Sequence, residues 1–242
     1  EFVASNGSGL RGRDVDSPDW IVIHNRGDET ADLSAYFLTD DPDRLTKWQF
    51  PGQPLDPQQY LVIFASGKNT SVAGSELHTN FKLDVDGEYL ALSFRPDGVP
   101  VRTQQLSPEY PRQATDVSYG IVPDTNDTFH YFGEPTPGAA NTATPYLGLV
   151  RDTSFSVDRG FYSKQLTAQD NPLSVAITSN TTDATIVYTL DGSSPAVEDV
   201  EGQLQVINGS IYSDPIVIDT TTALRAAAYK TGFVGTNIDT HT

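Results

Sequence analysis

The 242 residues carry 32 Asp and Glu against 15 Lys and Arg, a formal charge of −17 that both halves of the chain share. Such a field repels nucleic acid and anionic membrane, and no run of Lys or Arg offsets it, so neither is an expected partner. Cysteine is absent, which excludes a disulfide framework and a thiolate metal site, and no apolar run reaches the roughly 18 residues of a membrane helix.

The first patterned segment is the acidic loop Arg13-Asp14-Val15-Asp16-Ser17-Pro18-Asp19. Carboxylates at alternate positions of a loop can turn inward on a hard cation, which makes Asp14, Asp16 and Asp19 the candidate ligands of a Ca²⁺ ion. The full calcium-loop pattern is not met, since no Gly stands at the sixth place and Asn25 stands where the twelfth calls for Glu. Trp20–His24 follows as a nearly continuous apolar strand, then Asp40-Asp41-Pro42-Asp43 as a turn whose Asp side chains accept backbone N–H bonds. A second apolar strand, Tyr60–Phe64, runs into Ser66-Gly67-Lys68, a strand-end turn. A phosphate loop would need Gly where Val62 stands and a hydroxyl residue where Asn69 stands.

Asp84-Val85-Asp86-Gly87-Glu88 reads as a hairpin tip ahead of the strand Tyr89–Phe94. Phe129-His130-Tyr131-Phe132 is the densest aromatic run, and Phe129, His130 and Tyr131 are the candidate surface on which a sugar ring would stack. Between Glu134 and Pro145 the bulky apolar residues vanish, and this segment reads as a linker. Three strands stand out beyond it, Leu173–Thr178, Thr185–Leu190 and Ala223–Tyr229, the last with a half-buried alternation. Asp86-Gly87, Asp97-Gly98 and Asp191-Gly192 supply hairpin turns, and helical periodicity is nearly absent. The expected architecture is all-β, two sandwiches spanning 1–141 and 151–242 around a linker at 142–150.

A search for catalytic chemistry is negative. His24, His78, His130 and His241 lack metal-ligand spacing, and no Gly-x-Ser-x-Gly elbow occurs, so no catalytic residue is expected. Asn-x-Ser/Thr sequences at Asn6, Asn69, Asn126, Asn180 and Asn208 are of the kind polar loops produce by chance.

Glu1-Phe2-Val3-Ala4-Ser5-Asn6, Asp19–Asn25, Leu33–Asp40, Trp48-Gln49-Phe50-Pro51 through Ala65, Leu77–Leu83, Gly87–Leu92, Asp116–Gly120 and Pro135–Asn141 stand in an order that resembles the lamin-tail domain of bacterial exported proteins over residues 1–141. Phe155–Tyr162, Ala184–Pro195, Tyr212–Ile218 and Thr222–Gly232 resemble the small sandwich at the C-terminus of chitobiases and hexosaminidases, over about 150–236. The resemblance implies two immunoglobulin-like β-sandwich domains in tandem, without catalysis. It implies a place in a larger secreted bacterial protein, extracellular or on the cell surface, of which this monomeric chain is a piece. The function expected is adhesion, spacing or interaction, with an extracellular glycan or another surface protein as partner; the alternative is a carbohydrate-binding accessory of a glycan-degrading enzyme.

Overall fold

A computed structural model describes residues 1–123, 127–162 and 173–241. Asn126, one of the Asn-x-Ser/Thr sites, lies outside them. The chain divides into two compact units, Glu1–Pro145 and Tyr146–Thr242. Among the described residues both are built from strands, with one short 3-10 turn at Leu33–Ala35, and the fold is a tandem of immunoglobulin-like β-sandwiches.

In the first unit the strands are β1 (Phe2–Val3), β2 (Asp19–His24), β3 (Ala31–Asp32), β4 (Tyr36–Thr39), β5 (Trp48–Gln49) and β6 (Pro54–Leu55). They continue with β7 (Tyr60–Ala65), β8 (Leu90–Phe94), β9 (Val101–Leu106), β10 (Ser118–Ile121) and β11 (Phe129–Phe132). One sheet runs β11-β10-β1-β2-β7 and faces a four-stranded sheet ordered β5-β4-β8-β9. Side chains alternate across β2: Ile21 and Ile23 face the main core with Leu38, Trp48, Phe50, Ile63 and Leu90, whereas Trp20 and Val22 join Val3 and Phe64 on the other side. That double burial is why this strand reads as a continuous apolar run. Trp48 is edge-on to Phe50 at 5.0 Å, and both indoles, Trp20 and Trp48, are buried.

The segment read as a linker is, in its first part, a seam of this unit. The Glu1 carboxylate accepts from Ser118 Oγ (2.6 Å) and Thr136 N (3.1 Å), while Asn141 Nδ2 donates to Ile121 O (2.8 Å). Gly120 permits the closure, because a Cβ there would meet Asn141 Nδ2 at 2.7 Å and Glu1 Cα at 2.9 Å.

The second unit begins at the boundary strand β12 (Pro145–Tyr146) and holds β13 (Gly148–Leu149), β14 (Thr153–Phe155), β15 (Leu173–Val175), β16 (Ile177–Ser179), β17 (Thr185–Thr189), β18 (Ala196–Val200) and β19 (Gln203–Asn208). After these come β20 (Ser210–Ile211), β21 (Ile216–Ile218), β22 (Leu224–Tyr229), β23 (Phe233–Val234) and β24 (Asp239–His241). The main sheet is β20-β17-β22-β24, and Val175, Ile177, Ile216, Leu224 and Ala226 form the core.

Two strand readings change here. Leu173–Thr178 is broken at Ala176, which exchanges bonds with Ser156; β15 pairs β21 and β16 pairs β14, so the chain changes partner in mid-run. Ala226, Ala227 and Ala228 are all buried, so β22, central between β17 and β24, is covered on both faces at its middle.

Candidate functional site

The acidic loop does not assemble its three carboxylates around one point. Asp14 and Asp16 converge on the Lys68 ammonium, at 2.9 and 2.7 Å. This hydrogen-bonded cation holds the Asp14 carboxyl below its ordinary value. Asp19, on β2, instead accepts from Asn6 N at 3.2 Å, and burial pushes its pKa up. Among the described residues no group of three His, Asp or Glu side chains is placed to hold a metal ion. A lysine thus occupies the position between Asp14 and Asp16 that the sequence offered to calcium.

The aromatic run divides by the two-residue period of β11. Phe129 and Tyr131 lie on one face, against Tyr119 at 5.4 and 4.7 Å, and His130 falls on the other. Tyr131 is buried and donates to Arg112 O at 2.8 Å, so only Phe129 of the three remains for a ligand on that face.

A constellation that spacing does not reveal joins Ser66, His78 and Glu76. Ser66 Oγ lies 2.9 Å from His78 Nδ1, and His78 Nε2 lies 2.9 Å from Glu76 Oε1. The order is that of a hydrolytic triad, but the surroundings are those of a clamp. His78 is 5 % exposed, Ser66 Oγ accepts the Lys68 N–H, and Glu76 accepts the Arg13 N–H. Each group fastens one loop to another, since His78 also exchanges backbone bonds with Thr70.

The other acidic runs are turn chemistry. Asp43 N donates to Asp41 and Lys47 pairs with Asp40. At the Asp84–Glu88 turn the hydroxyl of fully buried Tyr110 donates to Asp84 O at 2.8 Å, and burial pushes the Glu88 carboxyl upward. Of the Asn-x-Ser/Thr sites, Asn6 commits its amide to Leu10 O and Pro18 O, and Asn208 commits its own to Ser193 and Ser194.

What the fold does build is a cleft of about 820 Å³ between the two sheets of the first unit. It opens where β2 and β10 end and β7 and β11 begin. Ile21, Ile23, Leu38, Leu90 and Leu92 supply its apolar depth; Gln104–Leu106 of β9 form one lip, with Ile121 and Phe129 opposite. At the mouth His24 stacks on Tyr60 at 4.0 Å and 5°, and Arg26 pairs with Asp127. Burial, and secondarily the Arg26 charge, lower the His24 pKa, which favours its neutral ring. His24 Nε2 is buried without a hydrogen-bond partner. Such a mixture of apolar floor and sparse polar rim suits recognition, and nothing in it aligns a nucleophile with a base. Sequence reasoning missed it because its lining comes from strands far apart in the chain; only Phe129 was singled out beforehand.

Residues 3–102 match the lamin tail domain, and residues 175–242 match the domain described as Fn3 associated, which is the region similar to the chitobiase C-terminal module. Both are noncatalytic immunoglobulin-like modules. The first match stops short of β10 and β11, although β1 pairs with β10 (Phe2 opposite Tyr119) in the same sheet. No curated protein and no solved structure matches the chain.

Proposed function

From a lamin tail match over residues 3–102 and an Fn3-associated match over 175–242, we propose that the chain is a noncatalytic adhesion, spacer or interaction region of a larger secreted protein. The observation that carries this reading is the commitment of its reactive groups to the fold. Asp14 and Asp16 hold Lys68, and Ser66, His78 and Glu76 fasten loops. The cleft of the first unit is left as the recognition surface. An acidic, cysteine-free surface stays solvated in salt and needs no redox environment, which suits work outside the cell.

The test pairs two measurements on the full chain. A fluorophosphonate probe should label it no more than it labels Ser66→Ala, and a glycan array should retain none of it. Specific labelling of Ser66 would overturn the noncatalytic reading. A bound glycan whose retention is lost on substitution of Phe129 would move the assignment to the carbohydrate-binding alternative.

A further inference from the structure

Among the described residues the strand β9 has a neighbour on one side only, because the second sheet runs β5-β4-β8-β9 and ends there. Every residue of it except Leu106 is exposed. Open edges of this kind are ordinarily blunted by charge, proline or a bulge. In β9 these devices are confined to the first half, where Arg102 sits and the register with β8 slips between Leu92 and Ser93. Gln104-Gln105-Leu106 is regular, uncharged and free of proline.

The hydrogen-bond phase of the sheet shows which groups this half presents. Arg95 N donates to Ala35 O, so that pair is a hydrogen-bonded one, and Ser93 and Ala91 likewise turn to β4 by alternation. Leu92 and Leu90 therefore turn their N–H and C=O to β9, opposite Gln104 and Leu106. The N–H and C=O of Gln105, between them, point out of the sheet.

The place beyond Gln105 is built for a strand. The facing sheet has more strands than the second, and its Ile121 and Phe129 line the cleft together with Gln104–Leu106. A strand laid along β9 would bond to Gln105 and drop alternate side chains onto Phe129, Ile121 and Leu92. Charge selects the occupant: the first unit holds 21 acidic and 10 basic residues, net −11, which opposes a second copy and favours a cationic segment. We propose that the cleft receives an extended, basic segment of a partner protein, with apolar residues at alternate positions, as an added strand on β9. This rests on the reading of the chain as an interaction region.

The test uses the full chain and a synthetic peptide of alternating valine and lysine, followed by amide NMR. Binding should shift and protect the Gln105 amide and weaken as salt rises. Gln105→Pro removes the outward donor without touching the ladder to β8, and should lower affinity about tenfold, the scale of one backbone hydrogen bond at the upper end of its net value. Gln105→Ala keeps the donor and should bind within about threefold of the wild type. A peptide N-methylated on alternate residues, which leaves the protein unaltered, should lose binding in one of its two phases.

The proposal is overturned if the Gln105 amide is unmoved at millimolar peptide, or if both N-methylated phases bind as the parent does. Equal binding of a valine and glutamate peptide would overturn the charge selection, and sedimentation of the chain as a dimer lost in Gln105→Pro would make the occupant a second copy. Failure here leaves the noncatalytic reading to the probe and the array, which do not depend on β9.

Discussion

Asp116 fastens the loop that follows β1, accepting from Gly7 N (2.8 Å), Ser8 N (3.0 Å) and Ser8 Oγ (2.6 Å). The Ser8 hydroxyl, helped by the backbone amides, holds its carboxyl below the ordinary value of 3.8. Asp116→Ala should cost about 1.5–3 kcal/mol at neutral pH, the range for hydrogen bonds to a charged group. A carboxylate depressed in the folded state stabilises fully above its unfolded pKa and loses that contribution as pH falls through the folded one. Thermal melts of wild type and Asp116→Ala should therefore differ by a constant amount from pH 7 to about 5 and by less below about 4, the remainder being the pH-independent strain of Ala at a φ of 58°; a gap unchanged at low pH would mean that the charge is irrelevant.

Lys68 makes a companion prediction. With its ammonium already between Asp14 and Asp16, the melting temperature should be the same in EDTA and in millimolar calcium. A calcium-dependent rise that vanishes in Asp14→Asn, Asp16→Asn would restore the ion to the loop. Nothing in the spacing of that loop could reveal Lys68, which lies 54 residues beyond Asp14.

At the scale of elements, legibility follows the range of the forces involved. The strands Trp20–His24, Tyr60–Phe64 and Thr185–Leu190 lie within a residue of β2, β7 and β17, because continuous apolar β-formers bounded by turn residues decide the matter locally. Of the three Asp-Gly pairs expected to supply hairpin turns, Asp97-Gly98 does so and Asp191-Gly192 does not. Asp97-Gly98 joins the paired neighbours β8 and β9, whereas Asp191-Gly192 leads out of the main sheet, since β17 pairs with β20 and β22. A turn fixes local backbone dihedrals; which strand receives the chain afterwards is decided by burial elsewhere. The clearest two-residue hairpin, Glu201-Gly202 between β18 and β19, has both residues at positive φ, 53° and 81°. Glu at its first position weakens the usual Asn or Asp signal. The half-buried alternation expected of β22 holds at Leu224, Arg225, Ala226, Ala228 and Tyr229 and departs from expectation only at Ala227, which is buried because a side chain as small as alanine allows close packing on the second face.

For the whole molecule, composition marked a change near Glu134–Pro145, while the division itself falls between Pro145 and Tyr146. The part from Thr136 to Asn141 reads as linker by composition and as the close of the first sandwich by resemblance; its anchor, Glu1, lies at the other end of the unit in sequence and is not visible from either. The two units have separate cores of very different size. Fifteen buried residues make up the main cluster of the first, whereas five make up that of the second among the described residues. Each large apolar side chain moved out of water contributes about 1.5–3 kcal/mol, so the second unit has the smaller margin against chain entropy. Calorimetry of the full chain should show two transitions, the lower belonging to Tyr146–Thr242. Ile177→Ala, at a site 2 % exposed in the smaller core, should lower that transition alone, by the about 2–5 kcal/mol typical of a buried aliphatic truncation. Ile63→Ala, at a fully buried position of the larger core, should lower only the upper one. If both substitutions displace a single transition together, the units unfold as one body and the stability of each depends on the other.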